Sequence, residues 1–315
     1  MTTPAPCIAV SLTRREVRAI RISWDGDRPA IEGCASVTLP QNTLIPNINS
    51  ANVIDSAGLS GAIKDVVQDL CSDSKRVGLV LPDVVAKVAL IQFDEVPGRS
   101  RDLHQMLGWR MTNGLPFSMD DAQMAYEDGI ALEVGQEFVV SIMKRVIVKE
   151  YEEVFLQAGI RPGLIDLGTF NVINSVLKVS PEVATGDCLF IQIADEFCTL
   201  VVVRDSDVIF FRNRSTGSVD ELLELVHQTS MYYRDRLAGA EFESVLLNIE
   251  SSEQWSLSEN IEVRVQLEKR FKSSLTSVGE VLRHGISDKS NFCIENFDSL
   301  AAPLGILLRG SFPVA

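Results

Sequence analysis

The sequence predicts an α/β chain built as two lobes, with a smaller α+β subdomain inserted into the first. Three observations predict it. An order of three strands and a helix occurs twice, at 8–12, 17–22, 31–37 and about 56–71, and again at 189–193, 199–203, 208–212 and about 218–237. Such an echo across ~180 residues is what a duplicated architecture leaves behind. Between the two copies, 77–126 reads VGLVLPDVVAKVALIQFDEVP and then, after a short gap, LGWRMTNGLPFSMDDAQMAYE, an order of elements belonging to neither repeat. At 315 residues with 46% apolar side chains, the chain has the length of about two domains and can bury a core of its own.

Each element follows from local pattern. The β-rich runs 8–12 and 17–22 are separated by Thr13-Arg14-Arg15-Glu16, a polar turn between hairpin strands, with Arg14 and Arg15 at a solvated tip. A Pro/Asn-rich stretch, 40–52, leads to the first helix, where Ile63, Val66, Val67 and Leu70 recur at helical spacing. Leu81-Pro82-Asp83 breaks the next apolar run into a strand pair. A helix over about 100–113 ends at Leu115-Pro116-Phe117, followed by strands near 123–133 and 137–143. A helix at 149–158 stops at Gly159. AGIRPGLIDLGTFNVINSV then gives a short strand at 164–166 and a helix crossing toward the second lobe, with Asp166 expected to cap it at Thr169. The tail IENFDSLAAPLGILLRG reads as one more helix.

Composition narrows the function classes. With 43 acidic and 29 basic residues, the formal charge of −14 repels nucleic acid and anionic lipid, so a protein or small ligand is the expected partner. The six cysteines (Cys7, Cys34, Cys71, Cys188, Cys198, Cys293) are scattered without C-x-x-C spacing and read as small hydrophobes in a reducing compartment. No run reaches the ~20 apolar residues of a spanning helix, and the N-terminus lacks the apolar core of a signal peptide, so a cytoplasmic chain is expected. The sequence carries no G-x-S-x-G, P-loop, H-E-x-x-H or G-x-G-x-x-G pattern. His104, His227 and His284 stand singly, and the neighbours Asp120-Asp121 and Glu152-Glu153 point in different directions, so both pairs are expected on solvated faces. No metal or catalytic residue is expected.

The broken strand run, the -LPF- corner at Leu115-Pro116-Phe117 with acidic residues after it, Gly159, Ile160, Pro162 and Asp166 in AGIRPGLID, and the closing APLGILLRG together resemble the PilM family. These are actin-like cytoplasmic proteins of type IV pilus assembly, in the FtsA/PilM group, and the resemblance spans nearly the whole chain. It implies an actin-like (ribonuclease H-like) α/β fold of two lobes with an inserted α+β subdomain. The expected organisation is 1–76 as the first part of the first lobe, 77–163 as the inserted subdomain, 164–186 as its return helix and interlobe crossing, and 187–315 as the second lobe.

An actin-like ATPase needs an Asp-x-Gly hairpin in each lobe, the glycine admitting phosphate to backbone amides and the aspartate orienting hydrated magnesium, and a Gly-Gly corner for the adenosine. Aligned on the resemblance, Ser11-Leu12-Thr13 replaces the first Asp-x-Gly, with Arg14, Arg15 and Glu16 where small hydroxyl residues are expected. Gln192-Ile193-Ala194 replaces the second, with Asp195 displaced from the position. Asn248-Ile249-Glu250-Ser251-Ser252 stands where Leu-Ser-Gly-Gly is expected, and Glu250 would repel a triphosphate. The cleft positions Ser11, Thr13, Gln192, Ala194 and Glu250 are thus degenerate, and no nucleotide cofactor is expected. The alternative is an active ATP-binding protein holding ATP with magnesium through substituted ligands.

The resemblance also implies a partner. Such proteins hold the cytoplasmic N-terminal peptide of a bitopic inner-membrane protein, PilN, in a groove between the first lobe and the inserted subdomain. The candidates for that contact are Met106, Trp109, Arg110, Leu115 and Phe117, with Leu107 and Met111 beside them, a Met/Trp/Phe cluster suited to adaptable peptide binding. The expected protein is a scaffold at the inner membrane through that partner, with self-association open. A PilM-and-PilN fusion of the general secretion system would continue into a transmembrane helix after the actin-like part. A division-type actin homologue would close on an amphipathic membrane helix, for which LLRGSFPVA is short and poor in basic residues.

Overall fold

The structure, a computed structural model, describes residues 6–70, 75–250, 257–272, 274–290 and 297–309. In the first lobe, β1 (Ile8–Leu12), β2 (Glu16–Asp25) and β3 (Arg28–Thr38) form an antiparallel meander, and α1 (Ser56–Asp69) returns the chain to β4 (Arg76–Leu81), parallel to β1. The Asp55 side chain accepts from Gly58 N and caps α1. The subdomain follows as β5 (Ala86–Phe93), α2 (Ser100–Met111), β6 (Ala122–Ala131) and β7 (Gln136–Lys144), its three strands ordered β5-β7-β6. Then α3 (Arg145–Gln157) and β8 (Arg161–Leu167), parallel to β4, complete the lobe, and α4 (Gly168–Val179) crosses out of it.

The second lobe repeats the first. A meander of β9 (Asp187–Ala194), β10 (Phe197–Arg204) and β11 (Asp207–Ser215) is followed by α5 (Val219–Arg236) and by β12 (Ser244–Ile249), parallel to β9. The spatial order β11-β10-β9-β12 reproduces β3-β2-β1-β4, so the duplicated order read from sequence is a duplicated topology. After α6 (Leu257–Phe271) come the two-residue β13 (Thr276–Ser277), α7 (Val278–Gly285), the two-residue β14 (Ser287–Asp288) and α8 (Ala301–Leu308).

The lobes share one core. Inward side chains Ala9, Ile20 and Val80 from the first sheet and Phe190, Val201 and Leu246 from the second close on α4, α7 and α8. Every side chain of α8 is buried. Its Gly305 lies so close to α4 that a Cβ there would stand 1.8 Å from the Asn171 carbonyl oxygen, so a larger residue would force the helices apart.

Three expected boundaries change. β4 does not pair with β5; it sits between β1 and β8 in the large sheet, so the inserted subdomain begins at β5 and not at residue 77. The signal was in the sequence: VGLVL is an unbroken apolar run, as a parallel strand covered on both faces requires. At the other end, Ile147, Tyr151, Val154 and Phe155 of α3 pack into the core of the first lobe, so the insertion closes near residue 144 rather than 163. Within 187–315, β14 pairs with β3 and α8 packs on β1 and β4, so the chain re-enters the first lobe before it ends.

Candidate functional site

Two depressions matter, and the first is the cleft between the lobes. Five segments converge on it: the β1–β2 turn, Pro82-Asp83 after β4, the start of α4, the β9–β10 turn, and Glu250 after β12. Ser11, Thr13, Gln192, Ala194 and Glu250 all line it, so the structure gathers the five degenerate positions in one place. Ser251 and Ser252 lie outside the described residues.

Protein groups fill this cleft. Arg14 N donates to Asp195 Oδ2 at 3.0 Å, and Arg14 Nη1 pairs with Glu196 Oε1 at 2.7 Å, so the hairpin tips of the two lobes are clasped to each other. Arg14 is therefore half-buried in a latch and not on a solvated tip. Asp195 holds a left-handed backbone, φ +50°, in the turn. Behind the latch, the Asp83 carboxylate accepts from Thr169 N at 3.1 Å, from the Thr169 hydroxyl, and from Thr199 Oγ1 at 2.7 Å. Asn213 Nδ2 completes the chain by donating to Thr199 Oγ1 at 2.7 Å. Asn248 Nδ2 donates to Gln192 Oε1 at 2.7 Å, and Gln192 Nε2 donates to Glu250 Oε1 at 2.8 Å.

Burial dominates the electrostatics. It lifts the Asp83 carboxyl above its ordinary range against the hydrogen bonds from Thr169 and Thr199. It lifts Asp195 in the same way against the Arg14 amide. Glu250 is pushed up to about 8, by burial first and then by the nearby Asp195 and Asp83 charges, with Arg18 and the Gln192 hydrogen bond opposing.

This lining does not fit a magnesium triphosphate. The Arg14 amide of the first hairpin is engaged by Asp195. The cavity volume is about 60 Å³, where small-molecule pockets run to roughly 300–1,000 Å³. Its walls carry the carboxyl groups of Asp83, Asp195, Glu196 and Glu250, and the Arg14 guanidinium among them is paired with Glu196.

The second depression is a groove with a cavity volume of about 410 Å³ between the inserted subdomain and the first lobe. One face of the β5-β7-β6 sheet, carrying Ile91, Phe138, Val140, Ile142 and Met124, packs on α2. The opposite face, with Ala125, Glu127, Val139 and Ser141, forms the roof of the groove. Leu164 of β8 and Phe170, Ile173 and Leu177 of α4 form an apolar floor, and the β10–β11 turn closes one end with Asp207 and Val208. Phe170 stacks on Phe211 with ring centroids 5.3 Å apart. Arg309 Nη2 pairs with Asp166 Oδ2 at 2.6 Å in the same groove. Both β6 and β8 are outer strands of their sheets, so two unpaired backbone edges border this space.

The two lobes built on one duplicated topology, with a cleft between them, define an actin-like protein. The sequence profile of the family described as Type IV pilus assembly protein PilM matches residues 9–235, and the chain belongs to that family. Among solved structures, the chain resembles one described as the PilM-PilN type IV pilus biogenesis complex at 17% identity and a TM-score of 0.81, over 99% of this chain and 100% of that one. It also resembles the cytoplasmic domain of EpsL, an inner-membrane component of the type II secretion system of Vibrio cholerae, at 12% identity and a TM-score of 0.51, over 88% of this chain and 93% of that one. A Bacteroides thetaiotaomicron protein of actin-like ATPase fold and unknown function is similar at 9% identity and a TM-score of 0.50, over 85% of this chain and 89% of that one. No curated protein matches the sequence.

The expected peptide contacts all lie on the α2 side of the subdomain sheet. Met106, Leu115 and Phe117 are half-buried in the subdomain core, on the α2 face of the sheet and away from the groove. Trp109 is 74% exposed on the outer side of α2, and the Arg110 guanidinium sits 5.5 Å over the Phe93 ring. A Met/Trp/Phe cluster on one helix was read as a binding stripe, and most of it is the stripe that holds α2 to its own sheet. Phe170, Ile173 and Leu177, which floor the groove, are not among the expected contacts, although their spacing gives α4 a second apolar face beside Val172 and Val176.

Other expectations are placed as follows. Asp166 does not cap α4; its Oδ1 accepts from Leu167 N at 2.8 Å, and Asp83 takes the helix amide of Thr169. Asp120, Asp121, Glu152 and Glu153 are exposed. Of the cysteines, Cys188 and Cys198 are buried, Cys34 is half-buried and Cys7 is exposed, while Cys71 and Cys293 lie outside the described residues. Among the described residues, no helix is long and apolar enough to cross a membrane.

Proposed function

We propose that the chain is a scaffold of a type IV pilus or related envelope machine. In this reading it captures the cytoplasmic N-terminal peptide of a PilN-like bitopic inner-membrane protein, and it does so without ATP turnover. The groove is the observation that carries this. An apolar floor suits the side chains of an extended segment, and β6 and β8, each the outer strand of its sheet, border it with main chain that no neighbouring strand pairs. A cytoplasmic protein so bound would be peripheral to the inner membrane through its partner. The filled cleft supports the second half of the reading, because clasped hairpins and buried carboxyls stand where phosphates and magnesium would have to enter.

The test is fluorescence anisotropy with a labelled synthetic peptide of the cytoplasmic N-terminal segment of the PilN-like protein from the same genome. The wild-type chain is expected to bind it saturably, and Phe170→Ala and Leu177→Ala are each expected to weaken binding by roughly tenfold, about 1.4 kcal/mol. Absence of binding by the folded wild type, or binding by both variants as tight as the wild type's, would sink the groove assignment.

A further inference from the structure

The outer strands of the three sheets differ in one respect that bears on association. An exposed strand edge is a template for another chain, and folded proteins blunt it with short strands, bulges, proline or charge. Here β13 and β14 are two residues each. The pairings of β6, β8 and β11 with their neighbours each contain a register shift, at Asp128/Ala131, Val77/Gly78 and Val202/Val203, and β8 also carries Pro162. β5 has only one of these devices, the exposed Lys87 near its start. Its eight residues, AKVALIQF, pair with β7 without interruption, and after Lys87 they carry no charge. A furrow with a cavity volume of about 900 Å³ runs along this strand, walled on the other side by Met106, Arg110 and Met111 of α2.

We propose that this edge is where a second copy of the chain pairs, β5 antiparallel to β5 about a two-fold axis, joining the two three-stranded sheets into one of six. The sequence of the edge is complementary to itself. Side chains alternate between faces, so residues meeting across an antiparallel two-fold must share a face. Ala89, Ile91 and Phe93 face α2. With Ile91 on the axis, Ala89 meets Phe93 and Leu90 meets Gln92 within the strand, Val88 meets Asp94, and Lys87 comes opposite Glu95 in the bend just past the strand end, twice per dimer. Centring on Leu90 instead would set Lys87 against Phe93 and leave Asp94 against Ala86. Both registers set Asp94 opposite an apolar residue, and only the first also brings Lys87 opposite Glu95, so that pair of opposite charge favours the first. A net charge of −14 opposes self-association in general, which confines it to a surface where the charges alternate in sign. In this arrangement both copies of α2 lie on the same face of the joined sheet, with the exposed Trp109 and Arg110 beside the seam.

Sedimentation velocity of the whole chain over a concentration series tests this, with circular dichroism confirming that each variant is folded. The wild type is expected to pass from monomer to dimer as concentration rises. Lys87→Glu sets like charges opposite each other at both ends and is expected to weaken the dimer by roughly tenfold. Leu90→Lys, which adds a charge to the edge, is expected to do so as well. The exchange Lys87→Glu with Glu95→Lys is expected to restore the wild-type constant. A chain that stays monomeric at every concentration leaves the edge to a different occupant and overturns the proposal. So does a dimer indifferent to Lys87→Glu, or an exchange variant no better than Lys87→Glu alone.

Discussion

The half-buried Asp83 carboxylate of the first lobe accepts a hydrogen bond from the buried Thr199 hydroxyl of the second at 2.7 Å. The same carboxylate caps α4 through Thr169 N, so one side chain fixes both the crossing helix and the second lobe relative to the first. Asp83→Ala leaves three buried donors without their acceptor and is expected to cost about 1–3 kcal/mol in urea unfolding. Thr199→Val removes one bond and is expected to cost about 1 kcal/mol. Because the two residues act through one contact, the double variant should cost less than the sum of the singles. Strict additivity would show that the bond does not hold the lobes together.

Glu250 gives the cleft a pH dependence whose sign follows from its environment. Its carboxyl is raised to about 8 in the fold, far above the range of an exposed glutamate, so the folded state holds a proton that the unfolded chain has released. The stabilisation is fully present below the ordinary glutamate range and is lost as pH rises through about 8. Asp195 and Asp83 are close enough to titrate with it as a set. Melting temperature is therefore expected to fall between pH 6 and pH 9, and Glu250→Gln, which keeps an oxygen for the Gln192 amide, is expected to recover on the order of 2 kcal/mol at the alkaline end. A variant whose pH profile parallels the wild type would show that Glu250 is ionised in the fold.

The lobes were legible because duplicated strand order, turn residues and apolar periodicity are local signals. The partition between β4 and β5 was not, because Pro82 punctuates the chain without saying which sheet receives each side, and only long-range pairing to β1 decides it. The five cleft positions come together in one lining, since hairpin turns sit at fixed offsets from strands that the sequence marks clearly. What filled the cleft was hidden. Arg14 and Asp195 are 181 residues apart, and Asp83 carries no local pattern that distinguishes a buried interlobe acceptor from a surface turn. The α2 cluster is ambiguous in sequence because an apolar stripe has the same spacing whether it packs on its own sheet or on a ligand.

Magnesium-ATP titrated calorimetrically into the chain, after any bound nucleotide has been stripped, is expected to give no binding heat. The Arg14 latch closes the space, and the guanidinium that could meet phosphate is held by Glu196. Asp195→Gly frees the Arg14 amide and removes one carboxyl, but Glu250, Asp83 and the missing Gly-Gly corner remain, so it too is expected to give none. Micromolar binding by the wild type would reverse the reading of Ser11, Gln192 and Glu250 and make a nucleotide-driven switch the leading function.

Trp109 and Phe117 separate the two faces of the subdomain. Trp109 stands 74% exposed on α2, so Trp109→Ala is expected to change the melting temperature little and to leave peptide capture in the groove intact. Phe117 packs against the subdomain core with Lys144 Nζ 6.0 Å from its ring, so Phe117→Ala is expected to cost about 1–3 kcal/mol, below the range for a fully buried aromatic. Its effect on the peptide should be indirect, because the sheet that roofs the groove lies between. Anisotropy titrations of the two variants with the same labelled peptide decide the matter. Loss of capture in a folded Trp109→Ala protein would move the partner site to the α2 face, and loss in neither variant would fix it on the side of Phe170 and Leu177.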